Sequence, residues 1–231
     1  MWKILNPFLR TPNPPPPKQC LFLTRLPPEL RIQIYKLVFG HGLIHLLHQY
    51  NIISYIRTNP SEFGNEYKIP TSLLLTCRQI HSEAAPILYS TNTFRVSLQR
   101  TWIIFANAIG AHNLSFIRCL RAPIPQSITH WTSSMRFKMA GDDNDTYAAF
   151  CEILATKMPG LVELELVLLS LPVGEARAVD AGWHAPIRRI RGLRRFRVEI
   201  QNRLVAGEED TVGLVGFLTE TVCGEREGGE E

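Results

Sequence analysis

The chain has 231 residues, of which 45% are hydrophobic and 20% charged, and its formal net charge is +4. That length suits one domain or two small ones around a sizeable core, and the composition excludes a chain disordered throughout. So small a positive balance does not by itself argue for nucleic acid, and no apolar run approaches the ~18 residues that a bilayer span needs.

Residues 1–20 open with prolines, Pro14 to Pro17 being consecutive, and read as a disordered, semi-rigid lead-in and a poor signal peptide. The expectation is a soluble intracellular protein, cytoplasmic or nuclear. The first helix starts after Leu26, with Pro27 and Pro28 in its opening turn, where a missing N–H costs nothing, and with Glu29 near the positive end of its dipole. Gly40 and Gly42 end it. Two apolar stripes share this helix. Leu30, Ile34, Leu37 and Val38 have the spacing of an ordinary core face, and Ile32, Tyr35 and Phe39 make a second one that also needs cover.

"LIHLLHQYNIISYIRT", Leu43 to Thr58, reads as two short strands turning at Gln49 to Asn51, and Asn59 to Pro70 as a loop. A second helix is expected from Thr71, with Leu73, Cys77, Ile80, Ala84 and Leu88 on its inner face and a kink or restart at Pro86. An extended piece follows at residues 90–96.

Beyond residue 100 a helix–strand unit recurs. Trp102, Phe105, Ala106 and Ile109 form one helical face. Tyr147, Phe150, Cys151, Leu154 and Met158 form the next, capped by Asp145 and broken by Pro159-Gly160. Trp183, Ile187 and Ile190 form a third, shorter one. Each precedes a frame L-x-x-L-x-L-x-L, starting at Leu114, Leu161 and Leu193, with Arg121 out of pattern in the first copy. Such units bury their faces by stacking side by side, and right-handed crossovers would make the strands parallel. An unrelated α/β layer with coincidental spacing is the other reading. A last helix is expected around Thr211 to Val222, followed by a disordered acidic tail over 223–231.

Candidate chemistry is sparse. His41, His45 and His48 lack a nearby Cys, Asp or Glu to complete a metal shell, so exposed or hydrogen-bonded histidines are expected. Cys77 and His81, four apart on a helix, offer no cleft or oxyanion donor, and Cys77 falls in the apolar stripe. The five cysteines, Cys20, Cys77, Cys119, Cys151 and Cys223, never form a CxxC pair and fit buried thiols in a reducing compartment. No phosphate-binding or nucleophile motif occurs, so neither an enzyme, a cofactor nor a metal is expected. The one charge concentration is Arg188, Arg189, Arg191, Arg194, Arg195, Arg197 and Arg203. Arg195, Arg197 and Glu199 take the outward alternation opposite Phe196, Val198 and Ile200, and Arg194 and Arg195 should be exposed at the turn into that strand. Without interleaved aromatics the patch points to an acidic protein partner rather than nucleic acid.

Leu26-Pro27-Pro28-Glu29-Leu30 with Ile34-Tyr35, and then Leu74-Leu75-Thr76-Cys77-Arg78-Gln79-Ile80, resemble the two signature stretches of an F-box. "LLLTCRQIHSEAAPILYSTNTF" is similar to a large group of fungal F-box-like proteins, and the later units resemble a degenerate leucine-rich region. The resemblance implies an α+β or α/β protein. Its F-box-like module would span 21–98 with an inserted hairpin, followed over 99–222 by irregular helix–strand units forming a small parallel sheet. It also implies docking on the Skp-type adaptor of a cullin–RING ubiquitin ligase through Leu26, Pro27, Leu30, Ile34 and Tyr35, while the repeats hold another protein. About thirty residues, Gly40 to Pro70, separate the two stretches where an ordinary F-box is compact. A hairpin there could cover Ile32, Tyr35 and Phe39 and leave an interaction or structural module without ligase docking. Both readings stand on the same residues.

Overall fold

The computed structural model describes residues 20–49, 52–58, 66–67, 69–124, 144–168, 185–200 and 208–224. The proline-rich lead before Cys20, Asp142, Asp143, Trp183, Arg203 and the acidic end after Gly224 lie outside them. Helices α1 (Leu21–Arg25) and α2 (Pro28–Phe39) lead into strands β1 (Leu43–Gln49) and β2 (Ile52–Thr58) and the short β3 (Glu66–Tyr67). A 3-10 turn at Thr71–Leu75 precedes α3 (Arg78–Thr91), β4 (Thr93–Val96), α4 (Gln99–Leu114) and β5 (Cys119–Pro123). Then follow α5 (Asn144–Lys157), β6 (Glu163–Leu168), a 3-10 turn at Ile187–Arg189, β7 (Arg195–Ile200) and α6 (Glu208–Cys223).

The strands form one sheet in the order β3-β2-β1-β4-β5-β6-β7. The expected hairpin is β1–β2, antiparallel, and β1, β4, β5, β6 and β7 run parallel, as the crossover rule requires. Strands β2 and β3 extend the sheet on one side of β1, and from β4 onward each new strand is added on the other side, beyond the last. Right-handed crossovers in one direction put every connecting helix on one face of the sheet. Across that face runs the register Ile44, Phe94, Leu120, Leu164 and Phe196, all buried. The core they join is continuous from Tyr35 to Val222, so the boundary expected between residues 98 and 99 falls inside one sheet and one core.

The three expected frames each supply a parallel strand, one of them after a shift of frame, and among the described residues the third follows a 3-10 turn at Ile187–Arg189 rather than a helix. Register aligns Leu120 with Leu164 and Phe196, so the first copy starts at Ile117 and reads I-x-x-L-x-A-x-I, not from Leu114. Ile117, Leu120, Ala122 and Ile124 are all buried. Leu114 instead closes α4, a helix bent at Gly110, whose φ of 77° a side chain would resist. Arg121 ceases to be an exception, because it lies on the opposite face. The four expected core residues on α5 and Met158 just after it are all buried, and Ile187 and Ile190 are likewise inside.

Helix α2 divides both expected stripes, with Ile32 of the second exposed and Val38 of the first packed against the core. Tyr35 and Phe39 are buried with Arg31 between the helix and α3, whereas Leu37 is 84% exposed and Leu30 45%. The polar Arg31 occupies the core face because Glu83 on α3 answers it. Arg31 donates from Nε to Glu83 Oε2 at 2.9 Å and from Nη2 to Oε1 at 2.8 Å, and also from Nη1 to the carbonyl of Leu26 at 2.7 Å. Tyr35 donates its hydroxyl to the same carboxylate at 3.1 Å, and its phenol is pushed up to about 12, first by burial and then by that bond.

The Arg31 hydrogen bond, with help from Gln79 and Tyr35, holds the Glu83 carboxyl down at about 2 against an ordinary 4.5. A depressed carboxylate stabilises the fold fully above its unfolded value and loses that contribution as pH falls through its folded value. The stability gap between the native chain and Glu83→Gln should therefore be widest near neutral pH. It should narrow below about pH 4.5 and largely close near pH 2, as read by paired denaturant melts. A gap unchanged across that range would show that the ion pair does not carry the effect.

The second expected helix divides. The 3-10 turn ends before Cys77, which takes extended backbone and caps α3, its sulfur accepting from the Ile80 amide at 3.4 Å. Cys77 is thus exposed rather than in the apolar stripe, and among the five free thiols only Cys151 is buried. Pro86 is accommodated inside α3, with no break in the helix between Arg78 and Thr91.

Candidate functional site

Two surfaces emerge, one apolar and one charged. The five large hydrophobic residues exposed among the described residues are Leu21, Leu30, Ile32, Leu37 and Leu75, all within the first third of the chain. Leu30, Ile34 and Leu37 lie on one face of α2, and Ile34 is only half-buried. Pro27 at the helix start is exposed, and Leu26 half-buried with its carbonyl held by Arg31. Of the five expected contact residues, Leu26, Pro27, Leu30 and Ile34 are therefore reachable from solvent and Tyr35 is not. Tyr35 packs against Phe22 and spends its hydroxyl on Glu83, which removes it from any docking face.

What holds α2 in place is partly a residue that periodicity could not single out. Asn92, just past α3 and buried, accepts from the Gly42 amide at 2.9 Å and donates to the carbonyls of Phe39 at 2.7 Å and Leu88 at 2.8 Å. One amide side chain thereby joins the ends of α2 and α3 to the start of the hairpin.

The charged surface is the sheet face opposite the helices. Along β4 to β7 it presents Thr93, Arg95, Cys119, Arg121, Glu163, Glu165, Arg195, Arg197 and Glu199, alternating with the core-facing residues, and Val167 on the same face is buried. Arg195 meets Glu163 at 3.0 Å, and Arg121 reaches Glu165 at 3.7 Å and bonds Glu199. His45 on β1 continues the row, its Nε2 2.8 Å from Ser97 Oγ, and burial followed by the nearby Arg95 lowers its imidazole pKa. An open hollow of about 90 Å³ lies on this face between Thr93, Cys119, Glu163, Glu165, Arg195 and Arg197.

The arginine concentration is thus two groups. Arg195 and Arg197 lie on the open sheet face, with Arg194 exposed at the turn before them. Arg188 and Arg189 are exposed on the helical side in the 3-10 turn, where Arg188 sits over the Phe217 ring at 5.8 Å and accepts through its carbonyl from the half-buried Arg191. These six do not form one patch. The carboxylates that meet Arg121 and Arg195 come from other strands, Glu163 and Glu165 from the adjacent β6 and Glu199 from β7, a relation set by sheet topology.

Neither surface gathers the parts of a catalytic centre. Burial pushes the Cys151 thiol up to about 12, which keeps it protonated, and Cys77 and His81 point their polar atoms into caps, His81 Nδ1 meeting the Leu74 carbonyl at 3.1 Å. Among the described residues no group of three or more His, Cys, Asp or Glu could hold a metal ion, and no helix is long and apolar enough to cross a membrane.

No curated protein and no solved structure matches the chain. One family model does, over residues 62–200, which takes in α3, the parallel strands β4 to β7 and the helices between them, and stops short of α2. With well over half of its residues inside that match, the chain belongs to the family described as a domain of unknown function, DUF7730.

Proposed function

We propose that the protein is a non-enzymatic, F-box-like adaptor that docks through α2 on a Skp-type component of a ubiquitin ligase and holds another protein on its sheet. The observation that carries this reading is the stripe Leu30, Ile34 and Leu37, left open on a short helix whose other side is locked by Arg31, Tyr35 and Phe39. Apolar anchors on a rigid element supply most of the energy of a compact interface, and what points to one here is the grouping of Leu30, Ile34 and Leu37 on one helix face rather than the exposure of any single leucine. Leu26 and Pro27 extend the same end of the helix. The working compartment is the cytoplasm or nucleus, where such ligases act and free thiols persist.

A second reading is favoured by the way α2 is built into the fold. Its inner face and the β1–β2 hairpin belong to the same core as the repeat-like units, so the helix has a structural task of its own. On that reading the chain is an interaction scaffold without ligase docking.

Size-exclusion chromatography of the purified chain mixed with a purified Skp-type adaptor separates the two. Co-elution at equimolar ratio is the expected result. Separate elution at concentrations of tens of micromolar would leave the scaffold as the better account.

A further inference from the structure

The open sheet face has a charge pattern that is incomplete in a specific way. All three carboxylates on β6 and β7, Glu163, Glu165 and Glu199, are engaged by Arg195 and Arg121. Arg95 and Arg197 have no acidic partner among the described residues, though each lies beside ion-paired neighbours. Register places Arg95, Arg121, Glu165 and Arg197 in one row across four adjacent strands. These two guanidiniums are therefore three strand spacings apart, roughly 14 Å at the usual ~4.8 Å per spacing. Between and beside them lie the hollow and the neutral Thr93 and Cys119.

An extended peptide rises about 3.4 Å per residue, so side chains four residues apart stand roughly 14 Å apart and on the same side. Arginine forks bind carboxylates through paired, charge-assisted hydrogen bonds. We propose that this face binds an acidic peptide segment of a protein partner, lying in extended form across the strands, with carboxylates at i and i+4 on Arg95 and Arg197. This deepens the reading of the sheet as the partner-holding half and rests on it, but it does not depend on the adaptor stripe. Acids two residues apart, about 7 Å, cannot reach both guanidiniums, so the distance between Arg95 and Arg197 sets the spacing.

The test uses the full chain and fluorescein-labelled twelve-residue peptides in fluorescence polarisation at low and at physiological salt. One peptide carries two Glu four apart in a Gly/Ser/Thr background, one carries them two apart, and one replaces both by Lys. The i, i+4 acidic peptide should bind most tightly. It should bind at least fivefold more weakly to Arg95→Ala/Arg197→Ala, a pair of outward substitutions that leaves the core residues untouched. Leu30→Asp/Leu37→Asp should bind it like the native chain, which separates failure here from failure of the adaptor reading. Equal binding of the acidic and lysine peptides, or no loss in the double variant, would overturn the proposal. So would a short RNA or DNA duplex that outcompetes the peptide at physiological salt. Binding gained only after removal of residues 225–231 would overturn it too, in favour of the chain's own acidic end as the occupant.

Discussion

Leu166→Asp should abolish the folded state. Leu166 is buried in the middle of β6, in register with Ala122 on β5 and Val198 on β7, with helices packed over that face. Truncation to alanine at such a site costs about 2–5 kcal/mol through lost burial and a residual cavity. A carboxylate there adds the penalty of a buried charge with no partner, several kcal/mol more even if it takes up a proton. The sum matches the whole stability of an ordinary domain, about 5–15 kcal/mol. Circular dichroism should show no cooperative melt for Leu166→Asp and a lowered but cooperative one for Leu166→Ala. A native-like melt for the aspartate variant would mean that β6 does not bury this face.

Asn92→Leu should be the most damaging substitution of a polar residue. The side chain serves the Gly42 amide and the Phe39 and Leu88 carbonyls, and leucine would leave all three without that partner in a buried site. At about 1–3 kcal/mol for each buried group left unsatisfied, and with some relaxation, the loss should be about 3–5 kcal/mol. That corresponds to a melting temperature lower by roughly 10 °C for a chain of this size. Asn92→Asp keeps the volume and the bond from Gly42 but turns an acceptor on two carbonyls, so it should be nearly as harmful. A shift under about 1 kcal/mol for both, in denaturant melts, would show that the three connected ends are held by other contacts.

Where local pattern decides structure, the sequence was readable. The alternation in β6 and β7, the apolar face of α5, the breaks at Pro159-Gly160 and at Gly40, and the hairpin all follow from periods of two and 3.6 and from turn chemistry. Arg195 and Arg197 face outward because their neighbours Phe196 and Val198 face the core. Long-range pairing was not readable in the same way. The core face of α2 carries an arginine whose partner, Glu83, is 52 residues away, so hydropathy alone placed Leu30 and Leu37 inside and passed over Arg31. Leu114 and Ile117 both fit the start of a repeat, and only register distinguishes the helix end from the strand frame. The ion pairs on this face join different strands, Arg121 on β5 even reaching across β6 to Glu199 on β7, 78 residues away, and periodicity within one strand says nothing of them.

The same structure that removes Tyr35 from the docking face makes a cleaner test of what remains. Tyr35→Asp would break the core and confuse loss of binding with loss of fold, whereas Leu30 and Leu37 are exposed in the isolated chain. The decisive measurement is isothermal titration of a Skp-type adaptor into the native chain and into Leu30→Asp/Leu37→Asp, with thermal melts of both. The account predicts micromolar or tighter binding by the native chain, and at least a tenfold loss in a variant that melts as the native chain does. Equal heats from the two proteins, or none from the native chain, would contradict it and leave α2 as a structural helix whose open leucines serve no ligase.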